Sequence, residues 1–418
     1  MAVAHVPCNH TLLHSLTIMK MRGASLVAKF LLTMFIARFL DLKALGVYGL
    51  VVGVSAIIPV VMGFGIINNF ARTAVTQSLE SVADTVIVYM RCFTFLYCIL
   101  GLPTIVGVAL TDHTALFFAL SIVLITFLEH ANNDIFVLLN SLSRPIVANL
   151  SLFIRSGLWI YIYMPLALVF PALRDINILL FFWVGGGIVA LAFFAYVTRT
   201  WPWRKRSFQS SSKTWLKKQL YQAKFLYLND IANTASQFLD RYIISVFLGL
   251  ELTGVYVLYW SIGNALGNLV RTGTITLYRP SLISAFTKDL ALYWCTFRKC
   301  VKQTLLISVA LSFAAYWALS FLLPHLKQPL AERYFSVYPI ILAGFVGRML
   351  YEVLGVSFYS QNKDIKTLVT GLYVLVASAV LPMLLIPSWD LMGAAWAVLL
   401  TVGIGSVVRY VYLKKGGR

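Results

Sequence analysis

The sequence predicts an all-α integral membrane fold: twelve transmembrane helices in two parallel six-helix bundles around a central cavity. Three observations predict it. The 418-residue chain is 60% hydrophobic and only 12% charged, with a mean hydropathy of +0.83, against roughly 45–50% apolar residues in soluble domains. Its apolar runs are long enough to cross about 30 Å of hydrocarbon. The third observation is a repeat: FLDLKALGVYGL at 39–50 returns as FLGLELTGVYVL at 247–258. Phe39, Leu40, Leu42, Gly46, Val47, Tyr48 and Leu50 are matched by Phe247, Leu248, Leu250, Gly254, Val255, Tyr256 and Leu258.

In chain order the apolar runs fall near 24–40, 46–68, 85–110, 115–139, 146–170, 177–198, 219–247, 252–278, 299–323, 334–358, 367–387 and 391–413. The first carries Lys29 and Arg38 and lacks a small-residue cleavage site, so it reads as a retained span. Pro59, Pro103, Pro165 and Pro382 lie within runs, where proline kinks a membrane helix and neighbouring groups satisfy the freed backbone. Both copies of the repeat sit at the same end of a helix with six spans between them. The halves therefore run the same way, about an axis along the membrane normal. The expected division is an N-terminal lobe 1–198, a basic linker 199–218 and a C-terminal lobe 219–418. Two facing bundles enclose a cavity, the layout of alternating access.

The formal charge is +19, from 34 Lys and Arg against 15 Asp and Glu. In a soluble chain this suggests nucleic acid; here the distribution assigns it to membrane topology. With a cytoplasmic N-terminus, one side holds Lys20, Arg22, Arg72, Arg144, the cluster Arg199–Lys218, the stretch Arg279–Lys302, Lys363, Lys366 and the tail from Arg409. The other side holds Lys43, Arg174, Lys327 and Arg333. The positive-inside rule then places both termini in the cytoplasm. The linker, with Trp201, Trp203 and Trp215 among its basic residues, reads as a cytoplasmic anchor facing acidic lipid. The longest loop on the other side is about 324–333, too short for a domain. Cys8, Cys92, Cys98, Cys295 and Cys300 show no metal-ligand spacing and read as free thiols.

Charges inside the spans carry the functional signal. Lys29, Arg38, Arg91, Arg155, Lys224, Arg241, Arg271 and Arg348 fall there, with Glu129, Asp134, Asp230, Asp240 and Glu352. Each costs about 2.5–3.5 kcal/mol at a helix centre and persists only with partners or water. Arg38, Lys224 and Arg241 are near enough to run ends to snorkel, and Arg348 and Glu352 are spaced to pair along one helix face. Lys29 and Arg155 have no partner nearby in sequence, which makes them cavity candidates. Polar residues recur at helical spacing as Arg22, Ser25, Lys29 and Thr33, as Asp230, Asn233, Thr234, Gln237 and Arg241, and as Ser261, Asn264, Asn268 and Arg271. A lone polar residue serves as interhelical glue, whereas stripes along whole spans imply an aqueous cavity. The run EHANND at 129–134 reads either as a polar cytoplasmic helix end or as an ion site. In the second reading Glu129 and His130, with Asp230, are the candidates for proton or sodium coupling. No P-loop, HExxH or nucleophile elbow is present, so the sequence encodes neither ATP hydrolysis nor metallohydrolysis.

With "GVY" at the same helix end in each half, and with GFGIINNFART at 63–73, NSLSRP at 140–145 and LYRPSLISAF at 277–286, the chain resembles the polysaccharide-transporter branch of the multidrug/oligosaccharidyl-lipid/polysaccharide (MOP) superfamily. Within it, the Wzx-type O-antigen flippases are most similar. The resemblance implies a bacterial inner-membrane protein that is not an enzyme and needs no cofactor. Its cargo would be an undecaprenyl-pyrophosphate-linked oligosaccharide bound for lipopolysaccharide. Its partners would be that substrate, membrane lipids and polysaccharide polymerase or assembly proteins, with no nucleic acid. Lys29, Arg155, Arg271 and Arg348 are the positions suited to a cationic lining, with Ser25, Asp230, Asn233, Gln237, Asn264 and Asn268 as polar lining. A multidrug/cation antiporter of the same superfamily is the alternative, disfavoured by eight basic against five acidic residues in the spans. A membrane glycosyltransferase or polymerase is a further alternative, disfavoured by the short outer loops.

Overall fold

The fold comes from a computed structural model that describes residues 8–203, 211–361 and 363–415. Among these residues there is no strand. Helix α1 (Cys8–Phe35) continues through a π-helical turn, Ile36–Leu40, to a break at Asp41; α2 (Leu42–Gly63), α3 (Ile66–Ala74), α4 (Leu79–Thr111) and α5 (Leu116–Ser141) follow. Next come α6 (Pro145–Phe153), a π turn at Ile154–Leu158, α7 (Trp159–Val169) and α8 (Ile176–Val197). The second half holds α9 (Ser211–Val270), a π turn at Arg271–Ile275, α10 (Thr276–Lys288), α11 (Leu290–Leu326), α12 (Pro329–Arg333), α13 (Val337–Ser360) and α14 (Asp364–Lys415).

Ten stretches are long and apolar enough to cross a membrane. Two of them are helix pairs, since α9 turns at Gly249 (φ 81°, ψ 178°) and α14 at Asp390 (φ 55°, ψ −141°), so the twelve expected spans are all present. Their ends follow capping chemistry more than hydropathy. Ser78 accepts from the Ser81 amide and starts α4 six residues before the apolar run. Asp289 accepts from the Ala291 amide and starts α11 well before residue 299. Both are helix-initiating side chains of the expected kind. Of the expected linker 199–218, residues 211–218 lie within α9, while 204–210 lie outside the described residues. The loop expected at 324–333 contains α12, and Tyr334 beyond it donates to the Asp390 carboxylate at 2.6 Å. That hydrogen bond raises the Tyr334 phenol above its ordinary pKa.

The described residues group into two compact units. The first takes in residues up to Leu32 with Val54–Lys224; the second takes in Thr33–Gly53 with Phe225 onward. This differs from a division at the linker, because 33–53 packs with the C-terminal half. In the first unit α5 packs on α8 and α6; in the second α13 packs on α14 and α11.

The repeat explains why 33–53 belongs there. A Cβ on Gly46 would overlap the Leu250 carbonyl oxygen and stand 3.2 Å from the Gly254 nitrogen. A Cβ on Gly254 would overlap the Leu42 carbonyl oxygen and stand 3.2 Å from the Gly46 nitrogen. The two copies thus meet reciprocally through their equivalent glycines, the close backbone approach that small residues permit between membrane helices. Tyr242 donates to the Leu50 carbonyl at 2.8 Å and Arg241 to that of Gly49 at 3.2 Å, extending the contact.

Gly254→Ala should lower stability by about 1–3 kcal/mol through overpacking, whereas Gly263→Ala, whose added carbon meets Phe345 at 3.6 Å, should be near neutral. Thermal unfolding of the two detergent-solubilised variants tests this; equal midpoints would contradict the close approach.

Candidate functional site

The three π turns found among the described residues each carry an arginine: Arg38, Arg155 and Arg271. A π turn adds a residue to the helical repeat, re-aims side chains, and is frequent at functional sites. Two of the three turns anchor ion clusters, one in each unit.

In the first unit Glu129 of α5 is the centre. Its Oε1 accepts from the Trp183 indole at 2.9 Å, and its Oε2 lies 3.5 Å from Arg155 Nη1. Arg155 also donates to the Glu129 backbone carbonyl at 3.2 Å, and Trp183 stacks on Trp159 at 6.1 Å. Lys29 of α1 is near enough to Glu129 and Arg155 to feel the charge of each, and Arg155 is buried. The rest of the α1 polar stripe is held by protein. Arg22 Nε donates to Asn149 at 2.8 Å, and Ser25, buried, donates to the Met21 carbonyl at 3.1 Å. One carboxylate therefore serves two cations.

The second unit repeats that stoichiometry around Glu352 of α13. Arg271 grips it in a bidentate fork, Nε to Oε2 at 2.7 Å and Nη2 to Oε1 at 2.6 Å, while Asn268 accepts from Arg271 Nη1 at 2.7 Å. Arg348 adds a bond at 3.4 Å from its own helix. Arg348 also lines a cavity of about 40 Å³ with Asn233, Gln237, Asp240, Trp260 and Tyr351, room for about three waters. Beside it the Arg241 guanidinium lies against the Phe238 and Trp260 rings, at 4.7 and 4.1 Å. Asp240, its neighbour, accepts from Tyr256, the tyrosine of the second repeat.

Several sequence expectations change. Arg155 has a partner, Glu129, twenty-six residues away. Arg241 does not snorkel: it is 1% exposed and donates to the carbonyl of Gly49, 192 positions away in sequence. Glu129 and His130 are not a polar helix end, since α5 continues to Ser141 and His130 is 1% exposed. Asn233, Gln237 and Arg348 do share one cavity; Asp230 and Asn264 do not line it. Sequence reasoning missed Arg409, read as part of a basic tail. It is buried, lies 3.4 Å over the Tyr351 ring and donates to the Tyr351 carbonyl at 2.6 Å. It also missed Trp183, which its tryptophan indole alone, in an apolar run, could have flagged. Cys92, Cys98, Cys295 and Cys300 are free thiols. Among the described residues no group of His, Cys, Asp or Glu side chains is placed to hold a metal.

Arg155→Ala should cost about 1–3 kcal/mol, because it removes a charged hydrogen-bond donor from a largely buried carboxylate that the Trp183 indole still holds. Pairing Arg155→Met with Glu129→Gln should recover most of that loss. Thermal unfolding of the single and double variants decides it, and equal losses in both would contradict the pairing.

No family model matches the chain, and no curated protein matches its sequence. Solved structures do match its fold. An inward-facing multidrug resistance MATE transporter of the MOP superfamily aligns at a TM-score of 0.70 and 14% identity, covering 92% of this chain and 94% of that one. The lipid II flippase MurJ, in an inward closed conformation, aligns at 0.72 and 15% identity, covering 96% and 87%. A MOP superfamily transporter from Pyrococcus furiosus, described as having a binding pocket of reverse polarity that suggests a different function, aligns at 0.54 and 12% identity, covering 96% and 93%. The chain has the all-helical fold of the MOP-superfamily transporters, shared by MATE proteins and MurJ.

Proposed function

We propose that the protein is a flippase that carries an undecaprenyl-pyrophosphate-linked oligosaccharide, an O-antigen or related surface-polysaccharide unit, from the cytoplasmic to the periplasmic leaflet of a bacterial inner membrane. The observation that carries this reading is the two-to-one ratio of cations to carboxylates in both clusters, Lys29 and Arg155 on Glu129, and Arg271 and Arg348 on Glu352. Each cluster keeps one positive charge in surplus. A pyrophosphate brings about two negative charges and strong acceptor oxygens to such groups. In this account each cluster is an anion contact within its own unit: Lys29 in the first, where Arg155 holds Glu129, and Arg348 in the second, where Arg271 holds Glu352. The fold likeness to a lipid II flippase supports a lipid-linked cargo. Both termini and the 199–218 segment are cytoplasmic in this reading.

A second reading, an organic-cation antiporter, is favoured by one feature. The Asp240 carboxylate lines a cavity with the Trp260 and Tyr351 rings, a setting that suits a cation.

Lys29→Ala and Arg348→Ala should each reduce surface glycan at least about tenfold, the factor for losing roughly 1.4 kcal/mol of anion binding, at unchanged protein abundance. Lys29→Arg should keep most export. Surface-glycan blots from cells carrying each variant read this, and normal export in both alanine variants contradicts the anion site; raised sensitivity to organic cations instead favours the antiporter. For the topology, a reporter active only outside the cytoplasm should give signal when fused after Leu110, Ala172 or Lys327 and none after Ser211. Signal after Ser211 would overturn the orientation.

A further inference from the structure

The cavity in the second unit has more hydrogen-bond donors around it than the protein uses. Asn233, Gln237, Asp240, Trp260, Arg348 and Thr401 are among its lining residues, and its volume is about 40 Å³, enough for a few water-sized groups. Thr401 is 5% exposed, and its hydroxyl is buried without a hydrogen-bond partner. Arg348 has five N–H donors and, among the described residues, makes one hydrogen bond, at 3.4 Å to Glu352. Its side chain is 27% exposed, which leaves the cavity a way in. Beside the cavity, Nε and Nη2 of Arg241 are also buried without a hydrogen-bond partner. Asn233 and Gln237 add amide donors one helical turn apart.

The carboxylates nearby are already engaged. Asp240 Oδ1 accepts from the Arg241 amide at 2.8 Å, and Oδ2 accepts from the Tyr256 hydroxyl. Glu352 gives both of its oxygens to the Arg271 fork. In charge, Arg241 answers Asp240, with Nε 3.8 Å from Oδ1, and Arg271 answers Glu352. The Arg348 charge is what remains. A cation largely withdrawn from water with no counter-charge of its own is costly, and the donor-rich cavity beside it is where that counter-charge fits. The Asp240 carboxylate taken alone suits a cation; the surplus guanidinium in the same cavity reverses the sign.

We propose that this cavity binds a small monovalent inorganic anion, with chloride as the representative ion, and that Arg348 and the Thr401 hydroxyl are its principal donors. Arg348 supplies the charge and Thr401 its unused hydrogen, and the Asn233 and Gln237 amides complete a shell of donors. The ion neutralises the surplus charge, so the second unit is more stable with it than without it. The site does not rest on the flippase reading, because neither Thr401 nor Asp240 takes part in the contact proposed for the cargo. Arg348 is common to both, so the test is read without cargo and turns on the other two residues.

Thermal unfolding of the detergent-solubilised full-length protein provides that test, with chloride replacing gluconate at fixed ionic strength and fixed sodium. The midpoint should rise with chloride and saturate. Thr401→Val, which keeps the shape and removes the hydroxyl, should raise the half-saturating concentration about tenfold. Asp240→Asn, which removes the opposing charge, should lower it, and Arg348→Gln should abolish the response. Each variant is referred to its own midpoint in gluconate, so that a loss of stability does not mask the loss of a site. A wild-type midpoint indifferent to chloride, an unchanged half-saturation in Thr401→Val, weaker chloride binding in Asp240→Asn, or a full response in Arg348→Gln would each overturn the assignment. A midpoint that follows sodium instead of chloride would overturn it too, and would give the cavity to a cation.

Discussion

A carboxylate carried into an apolar span must be partnered there, and in this chain Glu352 is held by Arg271 and Arg348 and Glu129 by Arg155 and the Trp183 indole. The local architecture is arranged around that constraint. Arg155 and Arg271 reach their carboxylates from π turns, where the backbone departs from the regular repeat. Trp183 and Asn268 supply the remaining hydrogen bonds. An isolated ion in hydrocarbon would be expelled or neutralised, so the pairs keep the charges inside.

The second constraint is backbone approach. Gly46 and Gly254 admit the Leu250 and Leu42 carbonyls, and the contact is reciprocal because the two segments are copies. Duplication gives complementarity here through one choice, a glycine at the same place in each half. The breaks within the copies, Asp41 and Gly249, also correspond, so each helix after the break starts in register for the contact. Arg241 and Tyr242, on the helix leading to the second break, bind carbonyls that follow the first.

The spans and the repeat were legible in the sequence because hydropathy and identity are local properties. Pairing was not. Hydropathy reports depth along a helix and says little about which neighbour its face meets, so Arg241, near the end of an apolar run, read as a snorkelling residue although Gly49 and Trp260 enclose it. Arg348 and Glu352 were legible as a pair because i,i+4 spacing is intrinsic to a helix. The stronger partner, Arg271, stands 81 positions away and left no local sign. The polar stripe on α9 did point to a cavity, through Asn233 and Gln237, but Asp230 and Asn264 shared its spacing without sharing its surroundings. His130 is legible as an ion candidate from its chemistry, whereas its Tyr89 partner comes only from packing.

The claim that the two clusters serve an anionic, lipid-linked cargo is tested most directly in proteoliposomes. Undecaprenyl-pyrophosphate-linked oligosaccharide is placed in one leaflet and its appearance in the other is followed with a membrane-impermeant glycosidase. The account predicts that the wild-type protein accelerates this movement and that Lys29→Ala does not. Movement no faster than in empty vesicles, with uptake of an organic cation by the same preparation, would contradict it.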